Sequence, residues 1–153
     1  MEDQRFARTE MLLGDAGLAR LAASSVAVFG VGGVGSFTAE ALARAGVGSL
    51  TLIDHDTIDV TNINRQIHAL TETVGKAKTT VMAERIRAIN PHCQVREIRA
   101  FYLPEEADSF FAAHYDYAVD AVDTVTAKVD LAVQCQARNI PLIASMGAAN
   151  KLD

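Results

Sequence analysis

The sequence predicts an α/β fold with a doubly wound, mostly parallel sheet and helices on both of its faces. The first observation is that short apolar segments alternate with longer segments of helical periodicity, which is typical of βαβ units. The second is a glycine-rich segment between the first apolar segment and the helix that follows it. Together they favour a Rossmann-like sheet of strand order 3-2-1-4-5, with ligands bound at the carboxyl ends of the strands.

Each element is predicted from its own apolar pattern. Strands are expected at 25–30, 49–54, 94–98, 117–122 and 140–145. Helices are expected at 34–45, 76–89, 104–112 and 124–138. The second of these helices is expected to end before Asn90, because Pro91 follows and a residue before proline disfavours the helical conformation.

The chain is predicted to divide into a helical extension over residues 1–24 and one α/β domain over residues 25–153. Two short helical pieces are expected in the extension, interrupted at Gly14 and Gly17. The domain is expected to be incomplete at its C-terminus, because residues 147–153 follow a strand at the point where another crossover should begin.

The composition excludes several classes of protein. The 153 residues are 50% hydrophobic and 22% charged, which is typical of one globular domain. The net charge of −5 argues against binding of tRNA or DNA by this chain alone, although a local basic patch is compatible with it. There is neither an apolar run long enough for a transmembrane segment nor a signal peptide, so we expect a cytoplasmic location. Cys93 and Cys135 form no CxxC pair, which argues against a local zinc site.

The glycine-rich segment has the spacing of a nucleotide-binding loop, with Gly30, Gly32, Gly33 and Gly35 between a strand and a helix. Glycine lets backbone N–H groups approach phosphate oxygens, and the helix N-terminus adds a partial positive charge. Asp54 lies 24 residues after Gly30, at the end of the second strand, where its carboxylate can accept both hydroxyls of a ribose. The motif predicts a nucleotide site and leaves open whether the ligand is a dinucleotide or ATP.

The segment after Asp54 carries groups that suit a triphosphate. Arg65 and Lys78 are cations that can reach a cleft above the sheet, and Asn62 and Gln66 add neutral donors. Lys78 begins a helix, where a cation opposes the macrodipole unless an anion is nearby. The alternative is a solvated loop with ordinary surface charges.

A second carboxylate, Asp123, follows the fourth strand at the carboxyl edge of the sheet. Mg²⁺ bound to a triphosphate takes one or two carboxylates, and Asp123 is the predicted metal ligand. The alternative is that Asp123 caps the helix that begins near Thr124. Asp120 lies nearer the strand interior, where it can accept backbone hydrogen bonds.

These residues together resemble the adenylation domain of the ubiquitin-activating-enzyme superfamily, the group that includes ThiF, MoeB and HesA. The resemblance is carried by residues 30–35, Asp54, residues 62–66, Lys78 and Asp123. It implies that residues 25–153 bind ATP and Mg²⁺, and that a substrate carboxylate attacks the α-phosphate to give an acyl-adenylate. The implied roles are ribose binding by Asp54, phosphate binding by Asn62, Arg65 and Lys78, and metal binding by Asp123.

The resemblance also implies a homodimer in which an N-terminal arginine reaches into the partner's site. Arg8 is the matching residue, because residues 5–8 resemble the start of that pattern. It would stabilise charge that develops on the phosphates. The alternative is a surface arginine on a frayed end of the chain.

Within the superfamily, the sequences of several segments are similar to those of the tRNA threonylcarbamoyladenosine dehydratase branch. These segments are 8–14, 59–70, 74–76, 123–128 and 145–151. The similarity implies ATP-dependent cyclisation, with loss of water, of threonylcarbamoyladenosine in tRNA, with Arg8, Arg65, Lys78 and Asp123 as catalytic residues. The implied partners are this tRNA, a second copy of the chain and a sulfur-transfer accessory protein.

Three other functions remain open at this point. One is adenylation of the C-terminal carboxylate of a sulfur-carrier protein. Another is an NAD-dependent oxidoreductase, which fits the glycine loop and Asp54 but leaves Arg65, Lys78 and Asp123 unexplained. The third is a nucleotide-binding scaffold that holds a partner without catalysis.

Overall fold

A computed structural model describes residues 4–146, in which five parallel strands form one sheet of order β3-β2-β1-β4-β5. The predicted strand order is therefore confirmed. The strands are β1 (Ser25–Phe29), β2 (Ser49–Ile53), β3 (Gln94–Ile98), β4 (Tyr117–Asp120) and β5 (Leu142–Ala144). In register, Val28 lies beside Leu52 of β2 on one side and Val119 of β4 on the other.

Helices cover both faces of the sheet. They are α1 (Ala7–Ala23), α2 (Gly35–Ala45), α3 (Lys78–Ile89), α4 (Ala107–Phe110) and α5 (Val125–Ala137). Short 3₁₀ turns lie at Gln4–Phe6, Val60–Asn62, Thr71–Thr73 and Pro104–Glu106.

Two apolar clusters result because successive strand residues point to opposite faces of the sheet. On one face, Val28 and Leu52 pack in the same cluster as Met82 of α3. On the other face, Phe29 packs in the same cluster as Leu131 of α5.

Several element boundaries differ from the predicted ones. The fourth strand ends at Asp120 because the Asp120 carboxylate accepts the Val122 N–H (3.1 Å) and turns the chain. The fifth strand begins only after Pro141, which has no N–H to donate to a ladder. The helix predicted at 104–112 consists of the 3₁₀ turn Pro104–Glu106 and the single turn of α4.

The N-terminal extension is one helix with a single kink. Gly14 leaves the helical conformation (φ +68°, ψ 173°), as predicted, whereas Gly17 remains helical, so the second predicted break is wrong. α1 contributes no fully buried residue, and Leu12 is 85% exposed. In the part of the chain that the structure describes, no helix combines the length and apolarity that a bilayer crossing requires.

Candidate functional site

A cavity of about 880 Å³ opens at the carboxyl ends of the strands. Its walls include Gly30, Gly32, Gly33, Asp54, Asn62, Arg65, Gln66, Lys78 and Asp123. The fold therefore brings together nearly all of the residues that the sequence selects, although they span more than ninety positions of the chain. The two exceptions are Gly35, which lies beneath the glycine loop, and Arg8.

Two of the four glycines are required by the protein's own packing. Gly30 has φ +88°, and a Cβ there would lie 2.6 Å from the Ala121 carbonyl oxygen. A Cβ on Gly35 would lie 1.7 Å from the Gly30 carbonyl oxygen. These positions let the loop turn tightly between β1 and α2 and lie against the end of β4.

The other two glycines are not crowded by the protein. A Cβ on Gly32 or Gly33 would meet its nearest neighbours, in Gln66 and Arg65, at 3.6 Å, an ordinary contact distance. Both residues line the cavity. Packing within the protein therefore does not demand glycine at these two positions, whereas close approach of a ligand to the backbone would.

Asp54 holds the loop as well as lining the cavity. Its Oδ2 accepts the Val31 N–H (2.8 Å), and its Oδ1 accepts the Asp56 N–H (2.8 Å). The sequence predicts a ligand-binding role for Asp54 and misses this role in fixing the glycine loop. Each carboxylate oxygen can accept a further hydrogen bond from the cavity.

Lys78 is a buried cation at the first position of α3, only 6% exposed. Its Nζ lies 3.4 Å from Oδ2 of Asp56, which is an exposed residue at the rim of the cavity. Asp56 is not among the site residues predicted from the sequence. The signal that could have found it is its position two residues beyond Asp54, because alternate residues of an extended segment share a side.

The turn that carries Asn62 is held by its own side chains. Asp59 accepts the Thr61 N–H (2.8 Å) and hydroxyl (2.6 Å), and these bonds hold the pKa of the Asp59 carboxyl below its usual range. The Asn62 Oδ1 accepts the Asp59 N–H (2.9 Å). The side-chain oxygen of Asn62 is thus engaged within the turn, and the side-chain NH₂ group is left for a ligand in the cavity.

Arg65 and Gln66 follow this turn and differ in burial. Arg65 is exposed, and its Nη1 donates to the Thr61 carbonyl oxygen (3.0 Å) and to Asn64 Oδ1 (2.9 Å). Gln66 is only 6% exposed, and within residues 4–146 its Oε1 has no hydrogen-bond partner. A buried polar atom without a partner costs free energy, which favours a ligand or water at this wall of the cavity.

Asp123 is exposed at the cavity wall, in the turn between β4 and α5. The alternative that it caps the helix is wrong, because α5 begins at Val125 and Thr124 occupies the cap position. Asp120, at the start of this turn, is fully buried, and its carboxylate accepts the Val122 N–H. The expectation that Asp120 accepts a backbone hydrogen bond is confirmed.

Lys128 connects this turn to the end of β5, a contact that is not predicted from the sequence. Its Nζ donates to Asp120 Oδ1 (3.1 Å) and to the Ser145 carbonyl oxygen (2.6 Å). Its side chain is 11% exposed and that of Asp120 is 1% exposed, so the ion pair is buried. Residues 147–151, part of a segment that carries the resemblance, lie outside the described residues.

Arg8 does not line the cavity. Phe6, two residues before it, lines a small hollow with Gly46, Gly48 and Asn90, which precede β2 and β3. The start of α1 therefore lies toward the amino-terminal edge of the sheet, at the end opposite the cavity. The prediction that Arg8 serves a partner's site stays a prediction.

The fold and the cavity define a Rossmann-like α/β protein with a glycine-loop cavity at the carboxyl ends of its parallel strands. Residues 6–151 match the model of the ThiF family, and the chain belongs to this family. The resemblance to the ThiF group of proteins that the sequence indicates is thereby confirmed.

Known proteins of this family resemble the chain over nearly its whole length. A tRNA threonylcarbamoyladenosine dehydratase of Bacillus subtilis is 53% identical over 149 residues, which cover 97% of this chain and 59% of that protein. The molybdopterin-synthase adenylyltransferase of Escherichia coli is 35% identical over 130 residues, which cover 85% of this chain and 51% of that protein.

A solved structure shows the same fold. The crystal structure of Escherichia coli tRNA N6-threonylcarbamoyladenosine dehydratase in complex with ATP matches with a TM-score of 0.94 and 47% identity. The match covers 98% of this chain and 62% of that chain. The chain described here thus spans less than two thirds of the length of each of these relatives.

Proposed function

We propose that this chain binds ATP and Mg²⁺ and serves the ATP-dependent dehydration of threonylcarbamoyladenosine in tRNA. The observation that carries the proposal is the joint presence, in one cavity, of two open glycines, an acid at the end of β2 and two cations. The 53% identity to a dehydratase of this specificity, against 35% to an adenylyltransferase, supports the choice of substrate.

The cations favour a nucleoside triphosphate over NAD. The pyrophosphate of NAD can be held by backbone N–H groups and a helix N-terminus alone. Here Lys78 and Arg65 add two positive charges to the same cavity, and among residues 4–146 Lys78 pairs with the exposed Asp56. A triphosphate, with three to four negative charges, makes use of both cations.

The remaining roles follow from position. Asp54 accepts hydrogen bonds from the ribose hydroxyls with the lone pairs that the glycine loop leaves free. Asn62 and Gln66 offer amide groups to the phosphates. Asp123 presents a hard carboxylate oxygen at the cavity wall, which fits the preference of Mg²⁺ for oxygen ligands. When bound there, Mg²⁺ would neutralise charge on the phosphate oxygens.

The reaction balances without an external nucleophile. The side-chain carboxylate of threonylcarbamoyladenosine attacks the α-phosphate, and pyrophosphate leaves as an acyl-adenylate forms. A nitrogen or oxygen of the same modified nucleoside then attacks the activated carbonyl and loses its proton to solvent. The ring closes, and AMP leaves carrying one oxygen of the former carboxylate, so the nucleoside has lost the elements of one water. Lys78 and Arg65 stabilise the negative charge that develops on the phosphates. Ring closure is fast because both reacting groups belong to one nucleoside.

The partners of this proposal are the tRNA that carries threonylcarbamoyladenosine, a second copy of the chain and a sulfur-transfer accessory protein. The second copy would supply Arg8 to the cavity described above, since Arg8 of the same chain lies toward the opposite edge of the sheet. The net charge of −5 argues against a generally basic tRNA-binding surface on this chain, so the proposal requires local groups for any tRNA contact that this chain makes.

The test is product analysis with matched tRNAs. The protein is incubated with ATP, Mg²⁺ and tRNA that carries or lacks threonylcarbamoyladenosine, and the nucleosides are examined by mass spectrometry. We expect AMP release and the loss of one water from the modified nucleoside, only with the modified tRNA. Pyrophosphate release that depends instead on a small protein with a C-terminal Gly-Gly would favour sulfur-carrier activation and contradict the proposal.

A further inference from the structure

The backbone of Val31, at the start of the glycine loop, is held from two sides. Its N–H donates to Asp54 Oδ2 (2.8 Å), and its carbonyl oxygen lies 2.6 Å from Nε2 of His68. Val31 is fully buried and His68 is 1% exposed, so water does not compete for the contact between these two residues. From the sequence, His68 is expected only to be structural.

The protonation of the His68 ring follows from this contact. A carbonyl oxygen can only accept, so Nε2 carries the hydrogen, and in the neutral ring Nδ1 carries none. Nδ1 is buried and has no hydrogen-bond partner within residues 4–146. Burial lowers the pKa of His68, which keeps the ring neutral at physiological pH. The protein therefore retains a poorly satisfied buried ring whose Nε2–H makes one contact, with the glycine loop.

His68 is itself held by a neighbouring turn. The Thr73 hydroxyl donates to the His68 carbonyl oxygen (2.7 Å) and accepts the Leu70 N–H (2.8 Å). The ring is thus fixed relative to the polar segment that also carries Gln66. The contact between His68 and Val31 joins this segment to the glycine loop, two parts of the cavity wall that lie 37 residues apart in the chain.

The orientation of the next N–H group follows from peptide geometry. The described residues contain no cis peptide bond. In a trans peptide the C=O of one residue and the N–H of the next point in opposite directions. Because the Val31 carbonyl points toward His68, the Gly32 N–H points away from the ring. Gly32 lines the cavity and has open space around it.

We propose that His68 is a positioning residue that, by holding the Val31 carbonyl, turns the Gly32 N–H toward an anionic group in the cavity. The inference rests on the proposed function in one respect, namely that the anion is a nucleotide phosphate. It adds a specific prediction, which is that His68 contributes to binding of the phosphates and not of the nucleoside.

The test compares two variants by calorimetry with ATP, AMP and adenosine. His68→Leu removes the donor at similar volume, whereas His68→Gln keeps an N–H donor at a similar distance from the backbone. We expect His68→Leu to weaken ATP and AMP binding about tenfold, as for one lost hydrogen bond, with adenosine binding nearly unchanged. We expect His68→Gln to restore most of the affinity for ATP and AMP.

Several results would overturn the inference. Equal losses for AMP and adenosine in His68→Leu, or no loss for either, would show that His68 does not act through the phosphates. If wild-type protein binds none of the three ligands, the proposed function fails and this inference fails with it. If the wild-type protein binds ATP and AMP and His68→Leu binds them equally well, this inference is overturned while the proposed function stands.

A measurement on the wild-type protein covers the case in which His68→Leu does not fold. Addition of AMP should shift the Gly32 amide proton in an NMR spectrum strongly, because that N–H would gain an acceptor. The Val31 amide proton, already bonded to Asp54, should shift less. A Gly32 amide that does not respond to AMP contradicts the proposal.

Discussion

At the scale of one residue, Lys78 places in the cavity a positive charge that the protein compensates only in part. A buried cation is costly unless it is paired, and the carboxylate that the structure gives it, Asp56, lies 3.4 Å away and is exposed to solvent. The Lys78 charge is therefore only partly compensated by the protein. A bound phosphate would complete the compensation, which makes Lys78 the residue whose removal should affect anion binding most.

His68 gives the stability of the protein a pH dependence of known sign. The unfolded chain binds a proton at His68 near pH 6.5, while burial lowers the pKa in the folded state. Below about pH 6.5 the unfolded state therefore holds more protons, and the free energy of unfolding falls as the pH drops. The carboxyls Glu40, Asp59 and Asp116, whose pKa values are also lowered, reduce stability only below their ordinary values of 4.5 and 3.8.

We expect urea unfolding of the wild-type protein to show a loss of stability between about pH 7 and about pH 5. His68→Gln, which cannot titrate, should show a smaller loss over the same interval. An identical slope in the two proteins would mean that other groups are responsible.

At the scale of elements, glycines of the β1–α2 loop that look equivalent in the sequence have different surroundings in the structure. Gly35 lies under the loop, where a Cβ would meet the Gly30 carbonyl oxygen at 1.7 Å. Gly32 lies at the cavity wall with ordinary space around it. A substitution at Gly35 must move the backbone, whereas a substitution at Gly32 only fills part of the cavity.

Gly35→Ala should therefore lower the free energy of unfolding by about 3 kcal/mol or more, or prevent folding. Gly32→Ala should change the free energy of unfolding by less than about 1 kcal/mol while weakening nucleotide binding about tenfold. Thermal unfolding and calorimetry on the same pair of variants measure both effects. A Gly32→Ala protein that binds nucleotide as the wild type does would show that the ligand does not approach this backbone.

The elements also show how far the sequence predicts the structure. The sheet order and the position of the glycine loop depend on local apolar patterns, and both are confirmed. The ion pairs Lys78–Asp56 and Lys128–Asp120 depend on how separate elements pack. The spacing of Asp56 from Asp54 can suggest that both acids lie on one side, but no local pattern indicates which lysine pairs with which acid. Gly17 remains helical although glycine disfavours helices, because a propensity of about 1 kcal/mol is easily overridden.

At the scale of the whole molecule, the position of α1 separates Arg8 from the cavity of its own chain. The helix begins toward the amino-terminal edge of the sheet, and its Met11 and Leu12 are 75% and 85% exposed. An arginine that serves catalysis from this position must act on another copy. The proposed homodimer therefore makes a prediction that a monomeric enzyme does not make.

Mixing two inactive variants tests this arrangement. In a mixture of Arg8→Ala and Lys78→Ala, mixed dimers hold one site with an intact cavity and an intact arginine, so activity should return to about a quarter of the wild-type level. A mixture of Lys78→Ala and Asp123→Asn, both altered in the cavity itself, should remain inactive. If the first mixture also remains inactive, Arg8 does not act across an interface.

Calorimetry with ATP and NAD, with and without Mg²⁺, shows whether the cavity binds ATP through Lys78. The wild-type protein should bind ATP with Mg²⁺ at least about tenfold more tightly than NAD, and Lys78→Ala should lose most of this preference. Tighter binding of NAD, unaffected by Lys78→Ala, would contradict the account and identify the cavity as a dinucleotide site.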